Sequence, residues 1–174
     1  PNYGSVKILT NKIGYVPQKA ISFDENFPAT AKEVVAMGNF KNKKSVEGAI
    51  EKVGMLEFKN KLIGELSGGQ QQRIFIARAL AADPDIIFLD EPTTGIDHKS
   101  QEEFYNLLRI LNEQMGLTLV LVSHDIEKVL KEVMHVACID HTLVCHSSPK
   151  DYLQSISSSE LGQDIKILPH HHNK

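Results

Sequence analysis

The sequence has no tryptophan, carries only two cysteines among 174 residues, and nowhere runs apolar for more than a handful of positions. Two cysteines cannot build the multi-bridge scaffold of a small secreted domain, so a reducing compartment is expected. The most apolar stretch, 117–122, is interrupted by Thr118, whereas a membrane-spanning helix needs about 20 apolar residues. No charged-then-apolar leader opens the chain. The formal charge of −3 gives no overall attraction to phosphate backbones, so no nucleic-acid partner is expected. Internal repeats and low-complexity blocks are also missing. What remains is ordinary: 41% hydrophobic and 24% charged residues suffice for a buried core, and the length suits one domain or a large piece of one. Because the chain opens on Pro1 rather than Met, it is expected to be processed or to be part of a longer polypeptide.

Local patterns divide the chain into elements. Thr30 followed by Glu33 reads as a capping box opening a short helix that Gly38 stops. Ser45 is expected to cap a second helix running to Leu56, with Ala49, Ile50, Val53 and Leu56 on its apolar face, and Lys41 to Lys44 read as a solvated loop. From Gln70 to Ala82 the apolar residues Ile74, Ala77, Leu80 and Ala81 recur at helical spacing, and Pro84 ends the run. Ile86, Ile87, Phe88 and Leu89 then form an uninterrupted apolar run, as does 117–122 after a helix over 99–115 that Gly116 closes. Such runs predict strands buried on both faces of a parallel sheet, and strand, helix, strand at this spacing predicts a βαβ crossover. The crossover brings Asp90 and Ser123 to the carboxyl edge of the sheet, where open α/β sheets bind ligands. The expected fold class is therefore α/β, a mostly parallel sheet with a helical insertion.

Chemistry-bearing residues collect at the ends of these elements. Asp90 and Glu91 are adjacent carboxylates suited to holding Mg²⁺ and to orienting or deprotonating a water; Asp-Glu-Pro serves equally well to end a strand before a turn. Leu66-Ser67-Gly68-Gly69-Gln70 opens a helix whose backbone N–H groups could meet an anion, although Ser67 and Gln70 alone also make a capping box.

The order of the motifs decides between these readings. Tyr15-Val16-Pro17-Gln18, Leu66-Ser67-Gly68-Gly69-Gln70, the apolar strand ending in Asp90-Glu91, Thr94-Gly95-Ile96-Asp97 and Ser123-His124-Asp125 resemble, in register, the Q-loop, signature, Walker B, D-loop and H-loop of the ABC transporter ATPase cassette, a P-loop-NTPase-like fold. The resemblance covers about 12–153. It implies ATP and Mg²⁺ as cofactors, with Gln18 and Asp90 at the metal, Glu91 as general base and His124 at the γ-phosphate. Ser67, Gly68, Gly69 and Gln70 would meet ATP held by a second ATPase subunit in a head-to-tail dimer, and Asp97 would lie at that interface. It further implies a transmembrane permease subunit and a location at the cytoplasmic face of the cell membrane. The phosphate-cradling G-x-x-x-x-G-K-[ST] motif is missing, since none of the eleven glycines precedes a lysine. The chain is therefore expected to be a cassette truncated at its N-terminus and inactive alone, with 1–153 a partial ATPase domain, 24–66 its helical insertion and 154–174 a tail. The segment 90–97 and the run from Val136 to His146 resemble the zinc and manganese importer branch. DNA-repair and chromosome-structure ATPases share the motifs but separate Gln18 from Ser67 by a long coiled coil, which is not seen here. A non-hydrolysing half-cassette lending its signature to another subunit is the remaining alternative, and the intact Asp90, Glu91 and His124 argue against it.

Three features stand outside this scheme. A two-residue hairpin at His141-Thr142 would pair Asp140 with Leu143, Ile139 with Val144 and Cys138 with Cys145; a reduced, metal-free pair is expected. His170-His171-His172 reads equally as a metal-binding end or a trimmed tag. Met37, Met55 and Phe58 could line a docking face and are expected to be core.

Overall fold

The computed structural model describes residues 3–18, 27–40, 42–140 and 142–158. The chain falls into two compact units, Pro1–His124 and Asp125–Lys174. In the first, strand β1 (Ile13–Val16) is followed by helices α1 (Ala31–Ala36), α2 (Lys43–Lys52) and α3 (Gly68–Leu80), strand β2 (Ile86–Asp90), helix α4 (His98–Met115) and strand β3 (Thr118–Val122). The sheet has the order β1-β2-β3 and is parallel throughout, with Val16 opposite Leu89 and Asp90 opposite Val122. The second unit contains helix α5 (Ile126–Glu132), the antiparallel pair β4 (Val136–Asp140) and β5 (Thr142–Ser147), and helix α6 (Pro149–Ser158). Helix α6 runs past 153, where the sequence suggested a tail. Among the described residues no helix is long and apolar enough to cross a membrane.

The local signals are borne out where they are chemical. Thr30 Oγ1 accepts the Glu33 N–H while the Glu33 carboxylate accepts the Thr30 N–H at 2.8 Å, a complete capping box. Gly116 closes α4 at a left-handed φ of 64°, the conformation that favours glycine at a helix end. The stretch 27–66 holds helices and turns but no strand among its described residues, and 24–26 lie outside them.

Several expectations are corrected. Asn42, not Ser45, caps α2: its side chain accepts the Ser45 N–H, so Lys43 and Lys44 belong to the helix rather than to a loop. Lys41 lies outside the described residues. The helix stops at Lys52 and the chain turns through Gly54 at a φ of 70°, which leaves Leu56 exposed in a short 3₁₀ turn. α1 ends at Ala36 with Met37 as its C-cap, and Gly38 serves close approach instead: a Cβ there would lie 2.0 Å from the carbonyl oxygen of Arg78. Met55 is buried and Phe58 packs against the core, but Met37 is exposed.

The strands are not buried on both faces. Val16, Ile87 and Leu89 point into the core under α3 and α4, while Ile13, Tyr15, Phe88 and Val122 on the other face are 45%, 53%, 37% and 53% exposed. Only one face of the sheet is covered by described helices, so burial alternates with the side-chain period of two. The core joins this covered face to α1 and α2 through Val34, Val35, Ile50, Ile63, Ile74, Ile76, Phe104 and Leu111. In the hairpin Cys138 does oppose Cys145, but the register then shifts: Ile139 pairs with Leu143 and Asp140 with Thr142.

Candidate functional site

The parallel register brings the first group of expected residues to one sheet edge. Asp90 is the last residue of β2, Gln18 follows β1 by two residues and is exposed, and His124 follows β3 by two. Glu91 leaves β2 in the left-handed region, at a φ of 44°, a conformation that costs a non-glycine residue about 1–2 kcal/mol. It is held there by its N–H, which donates to the Val122 carbonyl at 2.8 Å. This turn aims the carboxylate along the edge, where Glu91 Oε1 lies 2.8 Å from His124 Nδ1 and Thr94 Oγ1 donates to Oε2 at 3.5 Å. The Glu91 side chain is 16% exposed and that of His124 80%, so a shielded carboxylate is paired with an imidazole that opens onto solvent.

Tyr15 is a participant that motif reading quoted without a role. Its hydroxyl donates to Asp90 Oδ2 at 3.3 Å. The period of two contains the signal: Tyr15 pairs with Phe88, two residues before Asp90, so Tyr15 and Asp90 share the open face. Loss of surrounding water, and then the charge of Asp90, push the phenol above its ordinary pKa of 10.

The second group forms around the starts of α3 and α4. Ser67 caps α3, its N–H donating to Gln70 Oε1 at 3.0 Å and its Oγ accepting the Gln70 N–H at 3.4 Å. The N–H groups of Gly68 and Gly69 in the first turn have no intrahelical acceptor by helix geometry. Gly69 is pressed against α4, since a Cβ there would lie 2.9 Å from Ser100 Cβ. Ser100 in turn donates its N–H to Asp97 Oδ1 at 3.0 Å, which makes Asp97 the cap of α4. The Ser100 hydroxyl, then its N–H, hold the Asp97 carboxyl below its ordinary pKa. Gln101 ties down the intervening loop by donating to the carbonyls of Thr93 and Ile96 at 3.2 and 3.1 Å. Arg73, one turn into α3, binds Glu103 of α4 at 2.8 Å. A cleft of about 270 Å³ lies here, lined in part by Ser67, Gly69, Gln70, Arg73 and Ser100.

The donor set fits a nucleotide-borne cation. Asp90 and Gln18 offer hard oxygen atoms, and among the described residues no cluster of three His, Cys, Asp or Glu could cage a metal unaided. Mg²⁺ is commonly held by one or two carboxylates together with phosphate oxygens.

The parallel sheet with adjacent carboxylates at its carboxyl edge is one part of a wider likeness: the chain belongs to the ABC transporter family, whose profile matches residues 2–94. It is 43% identical over 161 residues to the zinc uptake system ATP-binding protein ZurA of Listeria monocytogenes, covering 86% of this chain and 63% of that protein. It is 40% identical to the manganese transport system ATP-binding protein MntB of Halalkalibacterium halodurans, with 85% and 66% covered. Among solved structures, cbiO1 of Clostridium perfringens, part of the ABC transporter complex cbiONQ, superposes with a TM-score of 0.71 at 27% identity, over 84% of this chain and 61% of that one. The chain thus spans less than two thirds of the length of the Listeria relative.

Proposed function

We propose that this chain is the nucleotide-binding part of the ATP-hydrolysing subunit of a zinc or manganese importer. The observation that carries the reading is the Glu91–His124 pair, 2.8 Å apart, at the sheet edge beside Asp90. Glu91, shielded and held by its backbone turn, accepts a proton from the attacking water; His124 orients that carboxylate and contacts the γ-phosphate. Asp90 and Gln18 hold Mg²⁺, which supplies neutralising charge to the phosphates when bound. The free N–H groups at the start of α3, with Ser67, receive the γ-phosphate of ATP bound by a second ATPase subunit, and Asp97 faces that subunit across the dimer. Exposed Met37 and Phe40 on the helical insertion suit contact with a permease subunit, which sets the protein against the cytoplasmic face of the membrane. The metal-ion assignment draws on the names of the zinc and manganese relatives. Without the lysine and backbone nest of G-x-x-x-x-G-K-[ST], the 174-residue chain alone does not hold ATP tightly.

Calorimetric titration of the chain with MgATP is expected to give no micromolar binding. In a longer polypeptide that carries the phosphate-binding motif ahead of residue 1, Glu91→Gln is expected to keep ATP binding, to lower phosphate release by about 10²–10⁴-fold, and to accumulate dimer. Turnover at the parental rate would remove Glu91 as the base.

A further inference from the structure

Cys138 of β4 and Cys145 of β5 are direct partners in the antiparallel ladder of the second unit, and Cys138 carries a free, half-buried thiol. The Cα atoms of directly opposed residues in an antiparallel pair lie about 4.5 or 5.5 Å apart. That falls inside the span of about 4.4–6.8 Å that a disulfide bridges. The pair is the last rung before the register shifts and the ladder passes over Val144; the extra twist at a bulge changes the approach of the two strands at that rung. Neither cysteine is used by the nucleotide chemistry, so the feature stands apart from that reading.

We infer that Cys138 and Cys145 are a modification site, a dithiol that closes to an intramolecular disulfide by exchange with a small-molecule disulfide of the glutathione class. One cysteine thiolate attacks the oxidised glutathione sulfur, expelling the first glutathione thiolate and forming a mixed disulfide. The second cysteine attacks the protein-side sulfur of that bond and expels the second thiolate. The two cysteines are oxidised, the small disulfide is reduced to two thiols, and the two protein S–H protons go to the departing thiolates. A thiol reductant reverses both steps. In a reducing compartment the resting state is the dithiol, and the bridge forms when the small-thiol pool is oxidised.

The test uses the full chain with oxidised glutathione, in native buffer and in urea, followed by acid quench, intact mass and peptide mapping. In native buffer both thiols are expected to disappear with a mass loss of two hydrogens, no glutathione adduct and a Cys138–Cys145 linked peptide, and dithiothreitol restores the starting mass. Resolution of the mixed disulfide is expected to be about tenfold or more faster natively than in urea, because the ladder holds the sulfur-bearing residues opposite one another. A Cys145→Ser/Val144→Cys variant, whose second thiol sits at the unpaired register position, is expected to stop at the adduct. Persistent adducts, intermolecular dimers, equal rates in native buffer and urea, closure of the shifted variant at the parental rate, or zinc occupying both thiols in the purified chain would each overturn the inference.

Discussion

Replacing Gly38 with alanine tests whether α1 and α3 are locked together by backbone approach. The new Cβ would lie 2.0 Å from the Arg78 carbonyl oxygen and 3.0 Å from its carbon. Ordinary contact begins near 3.4 Å, so the helices must separate by more than 1 Å, and the obstacle is main chain that cannot rotate away. The adjoining seam is pinned by two bonds to the Ala81 carbonyl, from Asn39 Nδ2 at 3.0 Å and Ser45 Oγ at 2.7 Å. Overpacking against rigid neighbours costs about 1–3 kcal/mol, and each bond lost to the displacement adds about 1 kcal/mol. Gly38→Ala should therefore destabilise by about 3–5 kcal/mol. With a urea slope of about 2 kcal/mol/M the midpoint followed by circular dichroism falls by about 2 M. Gly48→Ala is the matched control, since nothing lies within 4 Å of a Cβ inside α2; there the better helix former should stabilise by about 0.5–1 kcal/mol. If both variants moved the midpoint alike, or Gly38→Ala left it within about 0.3 M of the parent, the close-approach argument would fail.

Gly69→Ala should cost about 1–2 kcal/mol by urea denaturation because its methyl meets Ser100 Cβ at 2.9 Å. Ser67→Ala removes the cap of α3 and should cost about 1 kcal/mol, read by the same assay. Asp97→Ala should show its full stability deficit above pH 3.8, the ordinary aspartate value. Because Ser100 depresses the folded-state pKa, the deficit should close as pH falls through that lower pKa; a deficit that grew on acidification would contradict the cap.

The features legible in the sequence are those whose cause is local. Thr30 with Glu33 and Ser67 with Gln70 are reciprocal side-chain-to-backbone pairs three residues apart, and both form. Asn42 and Ser45 are both cap-type residues at that same spacing, so either could open α2, and only the Asn42 bond to the Ser45 N–H resolves the choice. An apolar run such as 86–89 reports strand propensity but not how many layers cover the strand, which is why Phe88 proved half-open. The hairpin register shifts by one residue between Cys138 and Ile139, and the sequence there has no Asn-Gly pair of the kind that fixes a two-residue turn; His141 and the 170–172 histidines lie outside the described residues. At the site, motif order put Asp90, Glu91 and His124 in one neighbourhood. The left-handed turn at Glu91 and the Tyr15 bond to Asp90 depend on three-dimensional approach and have no compositional signature.

The half-covered sheet also bears on how the polypeptide fares once it leaves the ribosome. Among the described residues β3 has no neighbour on its outer side, and its sequence, Thr-Leu-Val-Leu-Val, contains no charge and no proline to deter a stray strand. Such an edge, next to a sheet face studded with Ile13, Tyr15 and Phe88, is a template for cross-strand recruitment. To a chaperone or a quality-control protease it reads as unfinished work. At high concentration the chain by itself is expected to associate through this edge, and Val120→Lys, midway along β3, is expected to slow the rise in light scattering.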